Sequence, residues 1–319
     1  MPVPAIPKRR HAELAGQALK FVAELAQIEP LSPDFDHKLE AITELGRDAV
    51  AALGARHAGS LAHVAPPPTT GIARAIAALR GLAASLEPLR PGNLGEAPRR
   101  FGLRRGRANP KAYFARYRAA EGEIEATLSA LTRERDALIR ANVALETESA
   151  ALIAPLTALA EHMLFAEELA LTLTARAEML TARDPVRARR LTGEALGVVQ
   201  SRLRDLAEAR ALAAQALAVR EVITATNLRL IEGIEQASAT MLLVLCTAIE
   251  AARLIAQQEL VLGGIASLNR AASNLITADT APEAEAGTAA LQSAFARLYD
   301  ALDRLDSERA GSAERLTTG

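Results

Sequence analysis

Residues 124–152 read IEATLSALTRERDALIRANVALETESAAL, with an apolar residue at every seventh position: Ile124, Leu131, Leu138, Leu145 and Leu152. The series continues through Leu159, Ala166, Leu173 and Leu180. A repeat of seven places these side chains on one stripe of a helix, and a strict repeat of this length favours long helices supercoiled on a partner. The companion stripe is less regular, since Leu128 is followed at steps of seven by Arg135, Asn142 and Ser149. Polar side chains at such sites fix register at some cost in stability. Pro155 interrupts the run and has no amide donor, so two helices are expected, over about 111–153 and 156–182.

Composition agrees with this reading. Half of the 319 residues are hydrophobic, mostly Ala and Leu, whereas aromatic residues make up 3% and Trp is absent. Ala and Leu suit helices, and the residue types that favour strands are scarce. The expected fold is all-α and elongated, built on long antiparallel coiled-coil-like helices with shorter helices at both ends. Upstream, helices are expected over 10–28, 34–53 (with Pro33 near the first turn) and 71–86, separated by Pro30, by APPPTT at 65–70, and by a Pro/Gly-rich linker that runs to Pro98. Downstream, Asp184-Pro185 ends one arm and starts another, because a residue before proline leaves the helical region and proline suits a first turn. A second long run is expected over 186–278, and a last helix over 285–307 with Leu291, Phe295, Leu298, Leu302 and Leu305 on one stripe. The implied organisation is 1–98, short helices and linkers; 99–310, a long-helix domain; and 311–319, a flexible tail.

Charge is segregated. The net charge is −1, yet 99–118 holds eight cations (Arg99, Arg100, Arg104, Arg105, Arg107, Lys111, Arg116 and Arg118) and no carboxylate. Removing those eight from the 37 basic residues leaves 29 against 38 acidic ones. The same segment carries Phe101, Tyr113, Phe114 and Tyr117, four of the nine aromatic residues. One reading makes Arg100, Arg104, Arg105, Arg107, Lys111, Arg116 and Arg118 a candidate site for an oxyanion or an anionic lipid headgroup, aided by the free amides of a helix start after Asn109-Pro110. The other makes the cations a cover for acidic helix faces, with the rings locking the helix start in place. Nucleic acid is disfavoured, because the acidic remainder would repel a polyanion.

Catalytic signatures are missing. Neither GxxxxGK[ST] nor GxGxxG occurs, and the five histidines (His11, His37, His57, His63 and His162) show no metal-ligand spacing. The single Cys246 lies in the apolar stretch MLLVLCTAI, where a buried, inert thiol is expected. No catalytic residue, cofactor or metal is expected, and the chain reads as a non-enzyme. No secretory leader is expected from PKRRHAELAG, and the most apolar segment, 236–249, falls short of the roughly 20 residues that cross a bilayer.

FGLRRGRANPKAYFARYRAAEGEIE resembles the signature of the TelA/KlaA toxic-anion resistance family through Phe101, Gly102, Tyr113, Phe114, Arg116, Tyr117, Ala120 and Ile124. RDALIRANVALETES is similar to the family's next block through Arg135, Asp136, Leu138, Asn142, Leu145 and Glu146. Further blocks match in order, through Asp184, Pro185, Arg187 and Asp205, then Asn227, Leu230 and Gly233, then Gln258, Leu260 and Leu262. The chain departs from the family where it has Thr226 beside Asn227, Cys246 in place of a usual arginine, and Glu259 after Gln258. The resemblance implies a divergent member with a role in resistance to oxyanions such as tellurite and in bacterial stress response. Reduction would need reactive thiols or a redox cofactor, and export a membrane path, so binding is the remaining expectation. A cytoplasmic scaffold or adaptor, peripheral at the inner membrane or joined to a stress-response complex or to its own copies, is expected. The alternative is a protein that binds an oxyanion or an anionic membrane surface through 99–118.

Overall fold

The computed structural model describes residues 6–63, 69–88, 110–268 and 281–317, and among them the regular structure is helical with no strand. The helices are α1 (Lys8–Leu25), α2 (Pro33–Thr43), α3 (Arg47–His63), α4 (Thr69–Leu86), α5 (Pro110–Ala151), α6 (Ile153–Leu180), α7 (Pro185–Arg190), α8 (Leu196–Leu268) and α9 (Ala281–Thr317). The all-α expectation holds.

Local chemistry explains the breaks. Pro155 leaves α5 and α6 separated by Leu152 alone, where the Leu156 amide donates to the Leu152 carbonyl at 3.0 Å. Asp184 caps α7 by accepting the Arg187 amide at 3.0 Å, and Pro185 takes the first helical position. One π-helical turn, Leu191–Ala195, joins α7 to α8. The expected single helix over 34–53 is instead α2 and α3. Gly46 turns the chain between them with φ +71°, a conformation that glycine adopts without steric cost. The last helix runs to Thr317 and buries Ser312, where the sequence suggested a loose tail after Ala310.

The chain forms two compact units, 1–65 with 143–222, and 66–142 with 223–319. Each takes residues from both sides of residue 98. The physical reason is that α1 to α4 are amphipathic and each buries its apolar face against segments of the long helices. In the first unit, Ala18, Val22 and Leu25 of α1 pack with Ala166, Leu169 and Leu173 of α6 and with Phe35. Arg10 pairs with Glu161 at 2.7 Å along the same contact. Ala49 and Leu53 of α3 pack with Leu152, Leu156, Leu159 and Leu206.

In the second unit, Ile72, Ile76, Leu79, Leu82 and Leu86 of α4 share a core with Ile124, Leu131 and Leu138 of α5. The α9 stripe Leu291, Phe295, Leu298, Leu302 and Leu305 closes the same core, as its spacing predicts. Burying each Leu or Phe contributes about 1.5–3 kcal/mol relative to exposure. Arg135 lies opposite Glu235 and Asn142 opposite Asn227, so α5 and α8 run antiparallel there. Gly233 lets α9 come close, because a Cβ on it would sit 2.9 Å from Leu305 Cδ1.

The repeat that decides the fold is buried in register. Ile124, Leu131, Leu138, Leu145, Leu152, Leu159, Ala166 and Leu173 are all buried, and Leu180 is half-buried.

Candidate functional site

At the start of α5 three rings form one cluster. Tyr113 and Phe114 meet edge to face at 5.0 Å between centroids, and Tyr113 and Tyr117 do so at 5.5 Å. The spacing of four brings Tyr113 and Tyr117 onto the same helix face. Both hydroxyls converge on one atom, the Leu86 carbonyl oxygen at the end of α4, at 2.5 Å from Tyr113 and 3.2 Å from Tyr117. The two hydroxyls are 3.1 Å apart. The last carbonyls of a helix have no partner within the helix, so these phenols supply one. Burial pushes the Tyr113 hydroxyl up to about 12 and raises that of Tyr117 as well. The rings thus hold the α5 start against α4.

Of the candidate anion ligands, Arg116 and Arg118 are exposed on α5. Lys111 lies in the first turn of α5, with its side chain outside the described residues. Arg100, Arg104, Arg105 and Arg107 also lie outside them, as do Phe101 and Gly102. The geometry of the described residues therefore concerns only the helical end of the basic segment.

The irregular companion stripe of α5 has a specific partner in the second unit. Asn227 Nδ2 donates to Asn142 Oδ1 at 2.8 Å. Asn227 is buried beside buried Thr226, and its own Oδ1 has no hydrogen-bond partner. The bond between buried Asn227 and half-buried Asn142 forms in one helix register, which is how a polar position specifies alignment.

The partner stripe on α8 follows the same period. Val199, Leu206 and Ala213 are buried in the first unit, followed by Arg220; Asn227, Ile234, Met241 and Ala248 are buried in the second. Sequence reading missed Arg220, because an arginine at an apolar position hides the repeat on both sides of it. Its signal was its place in that repeat, seven residues from Ala213 and from Asn227. Arg220 is 5% exposed, its Nη2 lies 3.8 Å from Glu148 Oε2, and its Nη1 has no hydrogen-bond partner.

The remaining motif residues hold elements together. Arg187 Nε lies 3.4 Å from Asp184 Oδ2, at the helix start that Asp184 caps. Asp205 sits 3.6 Å from Arg202, whose Nε donates to the Leu45 carbonyl at 2.7 Å. Gln258 lies on α8, with its side chain outside the described residues. Cys246 corrects an expectation: it is exposed rather than buried, because Met241, Val244 and Ala248 take the inward face of this part of α8. No group of three or more metal-ligating side chains occurs among the described residues.

Among the described residues, two helical runs are by length and composition alone apolar enough to cross a membrane: Ala112–Leu180 and Pro185–Leu254, with stretches of mean hydropathy 1.4 and 1.5. The uncharged stretch 236–249 is shorter than either run because Glu235 and Glu250 bound it.

A family model described as toxic anion resistance protein (TelA) matches residues 32–315. No curated protein and no solved structure matches the chain.

Proposed function

Because the chain belongs to the TelA family of toxic anion resistance proteins, we propose that it serves that resistance as a non-enzymatic helical scaffold. Its long helices would present a surface to a protein partner or to a second copy of the chain. The observation that carries this reading is an exposed apolar stripe on α8. Leu228, Leu242 and Ile249 are 56%, 51% and 54% exposed, while Ile234, Met241 and Ala248 are buried on the other side. Leu242 and Ile249 are seven residues apart, the spacing of a second helix-packing seam, and Leu228 lies two repeats before Leu242 with the charged Glu235 between them. Large aliphatic side chains kept in water on a repeat are the mark of an interaction surface.

The test is Leu228→Lys with Leu242→Lys and Ile249→Lys in the full chain. These sites face water, so the helical circular dichroism is expected to be unchanged. The mass by light scattering or the set of proteins recovered from tellurite-stressed cells should fall to that of the bare chain, and tellurite resistance with it. Unchanged assembly and unchanged resistance would overturn the scaffold reading.

A second reading uses the basic segment, supported by the exposed Arg116 and Arg118 at its helical end. There the protein would bind an oxyanion or an anionic lipid headgroup, through arginines suited to bidentate contacts. This reading expects a cytoplasmic protein peripheral at the inner membrane. Titration with tellurite, phosphate and vesicles containing phosphatidylglycerol, with and without Arg104→Ala and Arg105→Ala, separates the sources. Binding that ignores both substitutions removes this reading.

A further inference from the structure

The first unit contains a cavity of about 160 Å³ lined by Val50, Leu53, Gly54, Leu152, Leu212 and Arg220, with three alanines of α8 completing the wall. Arg220 is its one charged lining residue. A cavity of about 150 Å³ lined by apolar side chains can hold a molecule the size of benzene. This one is partly open to solvent, with Leu212 and Gly54 exposed at its wall, and it carries a cation that is almost entirely buried.

Arg220 is poorly matched inside the protein. Its contact with Glu148 is long, at 3.8 Å, and Glu148 is one-third exposed on its side chain. The Nη1 atom is buried without a hydrogen-bond partner. A buried charge with an incomplete set of partners costs several kcal/mol, and well-packed apolar side chains in its place are often neutral or stabilising. A ligand that brought a carboxylate to Nη1 would complete the guanidinium's bonds, and an apolar tail would fill the aliphatic wall. Gly54 leaves the space open, since a Cβ placed there would meet nothing within 4 Å.

We propose that this cavity binds a small monocarboxylate with a short apolar tail, the carboxylate on Arg220 and the tail among Leu53, Leu152 and Leu212. The cavity uses no residue of the basic segment or of the α8 stripe, so the proposal stands or falls independently of the scaffold reading.

Calorimetric titration of the full chain with hexanoate, 1-hexanol and hexylammonium tests the proposal. Hexanoate is expected to bind one per chain in the sub-millimolar range, as suits a ligand of so few atoms. Hexanol should bind at least about tenfold more weakly, because it lacks the charge-assisted bond, and hexylammonium should not bind. Arg220→Met should keep the helical circular dichroism, melt no lower than the parent and lose hexanoate at least about tenfold. Gly54→Leu retains Arg220 and fills the space with a side chain, so it should also lose hexanoate. Equal binding of hexanoate and hexanol, or hexanoate binding unchanged in Gly54→Leu, overturns the proposal. Should Arg220→Met fail to fold, the Gly54→Leu result decides alone.

Discussion

Tyr113 and Tyr117 are two phenols sharing one acceptor, and that geometry fixes how the α4–α5 contact responds to pH. Both hydroxyls point at the Leu86 carbonyl, and burial favours the protonated form of each. In the unfolded chain a tyrosine loses its proton near pH 10, while Tyr113 holds its proton to about 12. Above pH 10 the unfolded state therefore binds fewer protons than the folded one, and stability falls as pH rises. The contribution is fully present below pH 10 and is lost between about 10 and 12. Denaturant midpoints at pH 8, 10 and 11.5 should show this loss in the parent. Tyr113→Phe with Tyr117→Phe should flatten the alkaline limb while lowering stability at pH 8 by about 1–2 kcal/mol through the lost hydrogen bonds. An equally steep alkaline limb in the double variant would assign the effect elsewhere. The sequence showed these rings gathered at a helix start at spacing four; that their acceptor is the end of α4 was not legible, because the linker between them carries no pattern. Arg220 was hidden for a different reason, as a charge occupying a position the eye reserves for leucine.

At the scale of the element, the turn between α2 and α3 shows where pattern reading stops. From Asp34 to Leu53 no proline appears, so the sequence reads as one helix, yet Gly46 takes a left-handed conformation and splits it. One glycine in a helical pattern costs roughly 1 kcal/mol and does not by itself say whether the helix ends. Tertiary packing decides: a Cβ on Gly46 would stand 3.1 Å from Leu206 Cδ2 and 3.2 Å from His162 Cδ2. Gly46→Ala is accordingly expected to destabilise by about 1–2 kcal/mol, from the positive φ and from the displaced neighbours. Chemical denaturation of the two chains measures it, with Gly16→Ala, a helical glycine facing open space, as the control that should be neutral or stabilising. A neutral Gly46→Ala would mean that the turn can re-form without its left-handed residue. The long elements were more transparent. The stripe from Ile124 to Leu173 stays buried at eight positions seven residues apart, because seven residues fall within about 20° of two full helical turns. Asn142 was legible as a register-setting residue, although its partner Asn227 was not, because spacing along one helix does not say which residue of another lies opposite. Cys246 was misplaced since five consecutive apolar neighbours conceal which face of the helix is turned inward.

On the scale of the whole chain, the short helices and the long ones make their cores together. Residues 1–65 complete the core of the first unit with Val22, Leu25 and Phe35, and α4 completes that of the second with Ile72, Ile76 and Leu79. A chain beginning at residue 99 would keep every long helix and yet expose Leu169, Leu173, Leu131 and Leu138 on the faces that α1 and α4 cover. Each such side chain loses about 1.5–3 kcal/mol of burial. Four such losses come to about 6–12 kcal/mol, the same size as the 5–15 kcal/mol by which a domain is stable. Such a truncated chain is expected to retain helical circular dichroism through local propensity, to bind a hydrophobic dye strongly, and to melt without a cooperative transition. A sharp melt and no dye binding would show that residues 99–319 fold as an independent domain. The same comparison bears on function: loss of tellurite resistance in a chain lacking residues 1–98 speaks to the scaffold only if its fold survives, so the melt must be read first.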